Sequence, residues 1–204
     1  MADPPTLTKE YILSRLLSDP AAGVLNGDFR LGGWHDDTSN PKPAAVLVPL
    51  VQHRHGTTVL LTQRTDHLHH HPGQVSFPGG RVEQRDASPI RTALRETEEE
   101  IGLASELVEV AGYLDPYQTV TGFRVIPVVG FVRPGFELEL DSFEVARAFE
   151  VPLSFVLDPV NHERHHREVR GQRRQFYVLP YLDHYIWGAT AAMLVNLYEK
   201  LMRE

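Results

Sequence analysis

Residues 77–103 read FPGGRVEQRDASPIRTALRETEEEIGL. Phe77-Pro78-Gly79-Gly80 and a short polar stretch lead into Ser88-Pro89. This is a favourable helix start: serine caps the first turn, and proline lacks an N–H that the turn could not use. Gly102, free to take a left-handed conformation, is a natural terminator. Between them Ile90, Leu94, Thr97 and Ile101 recur at steps of four, three and four, which predicts a buried stripe with Thr97 as its polar member.

The acids sit elsewhere. At about 100° per residue, Glu96, Glu99 and Glu100 share an arc of about 100°, while Glu98 points to the opposite side. Crowding them breaks two local rules. Glu96 and Glu100 repel at i,i+4 by roughly 0.2–0.5 kcal/mol. All three also lie near the negative end of the helix dipole, where cations are favoured. A sequence that breaks local rules without structural gain usually does so at a functional site. A divalent cation reverses the sign of each penalty, and oxygen ligands with no cysteine nearby favour Mg²⁺ or Mn²⁺. A solvated acidic face is the competing reading of the run.

Gly80, Arg95-Glu96, Glu99-Glu100 and Gly102-Leu103 resemble the Nudix box, G-x5-E-x7-R-E-U-x-E-E-x-G-U, with U a bulky apolar residue. Thr97 replaces the first U. Asp86 stands where Glu is expected, and eight residues rather than seven separate it from Arg95. Upstream, Leu60-Leu61-Thr62-Gln63-Arg64, Gly73 and Phe77-Pro78-Gly79-Gly80 are similar to the signature of coenzyme A-type Nudix pyrophosphatases, L-L-T-x-R-[SA]-x3-R-x3-G-x3-F-P-G-G. Thr65 and His69 replace the Ser/Ala and the second Arg. The segments 114–116, 121–123, 144–146 and 186–190 also look like this subfamily, so the resemblance spans roughly residues 40–195.

The resemblance implies an α/β (α+β) Nudix fold: an α/β/α sandwich whose mixed β-sheet is flanked by helices. It implies one domain over residues 1–204, with an N-terminal helical extension at 1–40 and the box at 80–103. The implied reaction is metal-dependent hydrolysis of coenzyme A, or a derivative, to 3′,5′-ADP and 4′-phosphopantetheine. The alternatives are a Nudix pyrophosphatase for another nucleotide, such as ADP-ribose or a nucleoside triphosphate, and a catalytically dead nucleotide-sensing module. Carried over by position, Glu96, Glu99 and Glu100 hold Mg²⁺ or Mn²⁺ with the Gly80 carbonyl. Arg95 orients those glutamates, and either a ligand glutamate or the remote Glu144 deprotonates water. Arg64, His69 and Phe123 are expected to contact substrate. For Glu144 the competing role is a surface helix glutamate, for Arg64 a strand-end arginine, and for Phe123 a core ring. Relatives are often dimers, so a homodimer is a further expectation.

The rest of the chain sets bounds. With 42% hydrophobic and 23% charged residues, it can bury a core and is not a disordered chain. A net charge of −7 argues against a nucleic-acid partner held by a broad basic surface. The absence of cysteine removes disulfides, zinc–thiolate sites and thiol nucleophiles. The apolar runs 44–51 and 125–132 are too short to cross a membrane, and the N-terminus has no secretory pattern, so a cytoplasmic location is the default expectation.

Thr8 is read as the cap of a helix that Asp19-Pro20 stops, and Gly188–Met202 as an amphipathic helix. Strands are expected at 44–51, 57–62, 107–113 and 124–132. Two histidine groups, His67/His69/His70/His71 and His162/His165/His166, lie in polar sequence and are read as loops beside the substrate mouth, with a second, transition-metal site as the alternative. Trp187 and Tyr181 are read as core or docking aromatics.

Overall fold

The computed structural model describes residues 7–31, 40–68, 71–169 and 172–203. In chain order the strands are β1 (Asn26–Gly27), β2 (Lys42–His53), β3 (Gly56–Arg64), β4 (Val75–Ser76), β5 (Gly79–Arg81) and β6 (Val108–Tyr113). They continue with β7 (Tyr117–Gln118), β8 (Phe123–Val132), β9 (Val145–Pro152), β10 (Glu163–Val169), β11 (Gln172–Tyr181) and β12 (His184–Trp187). The helices are α1 (Lys9–Arg15), α2 (Pro89–Ile101), α3 (Leu153–Val156) and α4 (Gly188–Met202).

Strand β2 organises the molecule because both of its faces are apolar. Ala45, Leu47 and Val51 point into one core, and Ala44, Val48 and Leu50 into the other. Such a strand must be covered on both sides, which places it mid-sheet. It runs parallel to β8, with Ala45 opposite Ile126, and antiparallel to β3 and β5. Outside these, β9 and β4 pair with β3, β6 and β7 pair with β8, and β1 pairs with β7. The sheet is therefore mixed. On one face Ala93 and Ile101 of α2 pack over Leu47, Leu60 and Val128. On the other, Leu194, Leu197 and Leu201 of α4 join Ile12 of α1 and Val156 of α3. Full burial of a side chain such as Ile101 stabilises this layer by roughly 1.5–3 kcal/mol. The expected mixed sheet between helices is the observed one. A second sheet, β10–β11–β12, is antiparallel and feeds directly into α4.

Several local expectations need correction. Helix α1 is capped by Thr8, whose Oγ1 accepts from the Tyr11 N–H at 3.1 Å, but it ends at Arg15, before Asp19-Pro20. The N-terminal extension is not purely helical, because Asn26–Gly27 adds a short strand against β7. In α2 the buried residues are Thr92, Ala93, Thr97, Glu100 and Ile101, while Ile90 and Leu94 are only half-buried. The stripe is thus rotated toward the residues that face β2 and β5. Thr97 is accommodated because its hydroxyl donates to the Ala93 carbonyl at 2.7 Å. His165 and His166 are strand residues of β10 and not loop residues, since each pairs across to β11.

Candidate active site

The last turns of α2 are fixed at both ends. Ser88 Oγ accepts the Arg91 N–H at 3.3 Å, and Gly102, at φ 68°, donates its N–H to the Glu98 carbonyl at 2.9 Å. This termination presses Glu100 against β5, where the Gly79 N–H donates to its Oε2 at 3.1 Å. Glu100 is 8% exposed, and its pKa is pushed up to about 8. Burial is the main cause, and the charges of Glu144 and Glu96 add to it. Glu96, half-buried, is also raised, first by burial and then by neighbouring charge, against the pull of Arg95. Gly79, at φ 146°, must be glycine here, and a side chain at Gly80 would push the Glu96 carboxyl aside. A Cβ on Gly79 would meet the Ala45 carbonyl at 2.5 Å, and one on Gly80 would meet the Glu96 carboxyl at 2.5 Å.

Arg95 ties the carboxylates together from behind. Its Nε donates to Asp86 Oδ1 at 3.1 Å and its Nη2 to Asp86 Oδ2 at 2.9 Å. Its Nη1 reaches Glu99 Oε2 at 2.8 Å and Glu96 Oε1 at 2.9 Å. Asp86 also accepts from the Glu83 N–H at 2.9 Å and the Thr92 hydroxyl at 3.0 Å. The Arg95 hydrogen bonds, ahead of the other contacts, hold its carboxyl far below the usual carboxylate range. The off-pattern Asp86 is thus the anchor of Arg95.

The glutamates do not all converge. Glu98 is exposed, as its helical phase predicts. Glu99 faces Arg95 and Arg85, the latter at 3.1 Å, with half of its side chain in solvent. Among the described residues no three His, Asp or Glu side chains form a preformed metal cage. The donor chemistry nevertheless fits a hard divalent cation. The groups are oxygen donors, and Glu96 and Glu100 are raised above their ordinary pKa first by burial and then by the charge of neighbouring carboxylates.

Glu144 is not on a helix; it sits in the turn that opens β9. A register shift between Gln63 and Arg64 brings Arg64 opposite Val145, and the Arg64 guanidinium lies 3.7 Å from the Glu144 carboxylate. A bulge of this kind re-aims a side chain at a strand end. Phe123 begins β8 with the Arg81 guanidinium 5.1 Å from its ring centroid. His69 and His70 lie outside the described residues.

Arg64 and Gly79 also line a cavity of about 480 Å³ beside the glutamates. Its wall includes Ser76 and Phe77 from the Phe-Pro-Gly-Gly approach, Thr119–Thr121 from the turn before β8, and His71. Arg167, Arg174, Phe176 and Trp187 from the second sheet complete it. None of those four belonged to the expected site. Trp187 is a cavity wall as well as a packing residue, which the Ile-Trp-Gly-Ala-Thr resemblance alone did not separate.

Comparison with known proteins agrees with this geometry. Residues 41–170 match the NUDIX domain model. The chain is 42% identical over 161 residues to the uncharacterized Nudix hydrolase NudL of Enterobacter sp. strain 638, covering 79% of this chain and 83% of that one. It is 41% identical, at the same coverage, to NudL of Escherichia coli K12. A MutT/nudix family protein from Enterococcus faecalis shares the fold, with a TM-score of 0.50 at 20% identity, over 83% of this chain and 65% of that one. The glycine-terminated glutamate helix, its arginine and the mixed sheet beneath it therefore have one reading: the chain belongs to the Nudix hydrolases, pyrophosphohydrolases of nucleoside diphosphate derivatives.

Proposed function

We propose that this Nudix hydrolase cleaves the pyrophosphate of coenzyme A, or of a coenzyme A derivative, to give 3′,5′-ADP and 4′-phosphopantetheine. The observation that carries the reading is the continuity between box and cavity. Arg64, Phe77 and Gly79, from the segments that resemble the coenzyme A-type signature, contribute to the wall of the 480 Å³ space beside Glu100. The space is large enough for part of an extended nucleotide, since small-molecule sites typically occupy roughly 300–1,000 Å³.

Nudix hydrolases generally use divalent cations such as Mg²⁺ or Mn²⁺. In this reading Glu96, Glu99, Glu100 and the Gly80 carbonyl would hold them. When bound, the metal offsets the charge of the pyrophosphate diester and makes water a stronger nucleophile. The chain's own residues do the rest. Arg95 is a positioning residue that aims Glu96 and Glu99 from its Asp86 anchor. Glu144 is the proposed acceptor of the attacking water's proton, and Arg64 beside it contacts a phosphate oxygen. As the new P–O bond forms, the bridging P–O bond breaks, leaving two phosphomonoesters. Phe123 and His69 are placed at the substrate by the resemblance, with Phe123 beside the Thr119–Thr121 wall. Residues 1–204 are read as one domain, supported by the docking of α1 on α4 through Tyr11, whose hydroxyl donates to the Leu201 carbonyl at 2.7 Å.

The test is a substrate panel with Mg²⁺ or Mn²⁺, with products identified by mass. Release of 4′-phosphopantetheine from coenzyme A supports the reading. Turnover of ADP-ribose to AMP and ribose 5-phosphate, with coenzyme A untouched, overturns it.

A further inference from the structure

The turn that carries Glu144 is held by very little apolar packing. Asp141, Ser142 and Phe143 are exposed, Phe143 to 64%, and the chain re-enters the core only at Val145. The Phe143 ring leans on His67, with 5.0 Å between centroids. Such a turn keeps its place through hydrogen bonds or moves. Here the bonds run in two directions. Toward α2, the Asp141 N–H donates to the Glu100 carbonyl at 2.9 Å, and the Asp141 carbonyl accepts the Glu144 and Val145 N–H groups at 3.0 and 2.8 Å. The Asp141 carboxylate closes the turn by accepting the Phe143 N–H at 2.9 Å. Toward β3, Thr65 grips the carbonyls on both sides of the Glu144 Cα. Its N–H donates to the Glu144 carbonyl at 3.0 Å, and its hydroxyl to the Phe143 carbonyl at 2.8 Å. Thr65 is 8% exposed, and its branched Cβ restricts where the hydroxyl can point. Arg64 alone does not fix the carboxylate. Its guanidinium is 3.7 Å away, beyond hydrogen-bond length, and the Glu144 side chain is 43% exposed, so the ion pair is weak.

We propose that Thr65 is a positioning residue, whose hydroxyl and N–H fix the backbone on either side of Glu144 and so set where that carboxylate stands relative to Arg64, Glu96 and Glu100. The role rests on the proposed use of Glu144 as acceptor of the water's proton, and it names what holds the acceptor in place. Thr65 does not line the cavity, so it acts only through Glu144. The position is also one where the chain departs from the Ser/Ala of the signature it resembles. Serine would keep the hydroxyl; alanine would remove it.

The experiment is a kinetic double-mutant cycle on the full chain with Mg²⁺, using coenzyme A, or ADP-ribose should the substrate panel favour it. Thr65→Val keeps the shape of the side chain and removes the hydroxyl. It should lower kcat at least about tenfold with KM within about twofold, because the loss falls on proton transfer and not on substrate binding. Thr65→Ser, which restores the hydroxyl, should return kcat to within about threefold of the wild type. Glu144→Gln should lower kcat by about 100-fold. Adding Thr65→Val to it should change kcat by less than about twofold, since no proton acceptor is left to position. Circular dichroism and the serine variant separate a misplaced Glu144 from a lost fold. A normal kcat in Thr65→Val overturns the proposal. So does a loss that serine does not restore, that falls on KM, or that persists undiminished in the Glu144→Gln background, and each of these leaves Glu144 as the proton acceptor. An unaltered kcat for Glu144→Gln overturns the reading of Glu144 itself, and the role of Thr65 with it.

Discussion

Asp86 and Arg95 show how one off-pattern residue can hold a site. The Asp86 side chain is 3% exposed and takes both forks of a guanidinium that also reaches Glu96 and Glu99. Its pKa is depressed on folding, so the pair contributes fully above the ordinary aspartate value of about 3.9 and is lost as pH falls toward the lower folded value. Asp86→Asn should therefore destabilise the protein by about 2 kcal/mol at neutral pH. That difference should narrow below about pH 4, as urea unfolding at several pH values would measure. A pH-independent difference would show that the carboxylate charge is not what Arg95 needs. At this scale the sequence was informative. The glutamates announce themselves by phase along a helix, and Arg95 by its place in the resemblance to the Nudix box. The anchor did not, because its contact depends on how the 81–88 loop folds back, which no periodicity encodes.

Helix α2 and the loop before it form the next unit. Arg85, on that loop, pairs with Glu83 at 2.8 Å and Glu99 at 3.1 Å and draws Glu99 toward solvent. Both members of the Arg85–Glu99 pair are more than half exposed, at 61% and 52%, so the contact is weak, on the order of 0.2–1 kcal/mol. Arg85→Ala should then tighten Mn²⁺ binding by no more than about fivefold in a calorimetric titration. Weaker binding would mean that Arg85 supports the site. Elements rich in apolar residues, on one face or on both, were readable: β2, β3, β6, β8, α2 and α4 fall close to their expected positions. Strands β10 and β11 were not. The segments ERHHREV and QRRQ carry charge on both faces, which hides a period of two. The cavity wall they build was hidden with them.

At the scale of the molecule, Asp115 locks three distant segments. It accepts from the Val24 N–H at 3.1 Å, Asn196 Nδ2 at 2.9 Å and Lys200 Nζ at 2.8 Å, while its own N–H donates to Asn196 Oδ1 at 3.1 Å. The bonds bind the N-terminal segment and α4 to the β6–β7 loop. Asp115→Ala leaves Lys200 and Asn196 without these partners, and should cost about 3 kcal/mol in urea unfolding. A loss under about 0.5 kcal/mol would show that packing alone holds the segments. The mixed sheet itself was expected from family resemblance. Its parallel β2–β8 pairing joins strands about 80 residues apart and left no local trace, as such pairings do not. The proposed hydrolysis depends on one event, the capture of a divalent cation between α2 and β5. Anomalous scattering from a crystal soaked in manganese tests it directly. The expected result is a peak bounded by Glu96, Glu100 and the Gly80 carbonyl, with Glu99 turned from Arg85 toward the ion. A manganese-loaded crystal with no peak there, and Glu99 still held by Arg85 and Arg95, would contradict it.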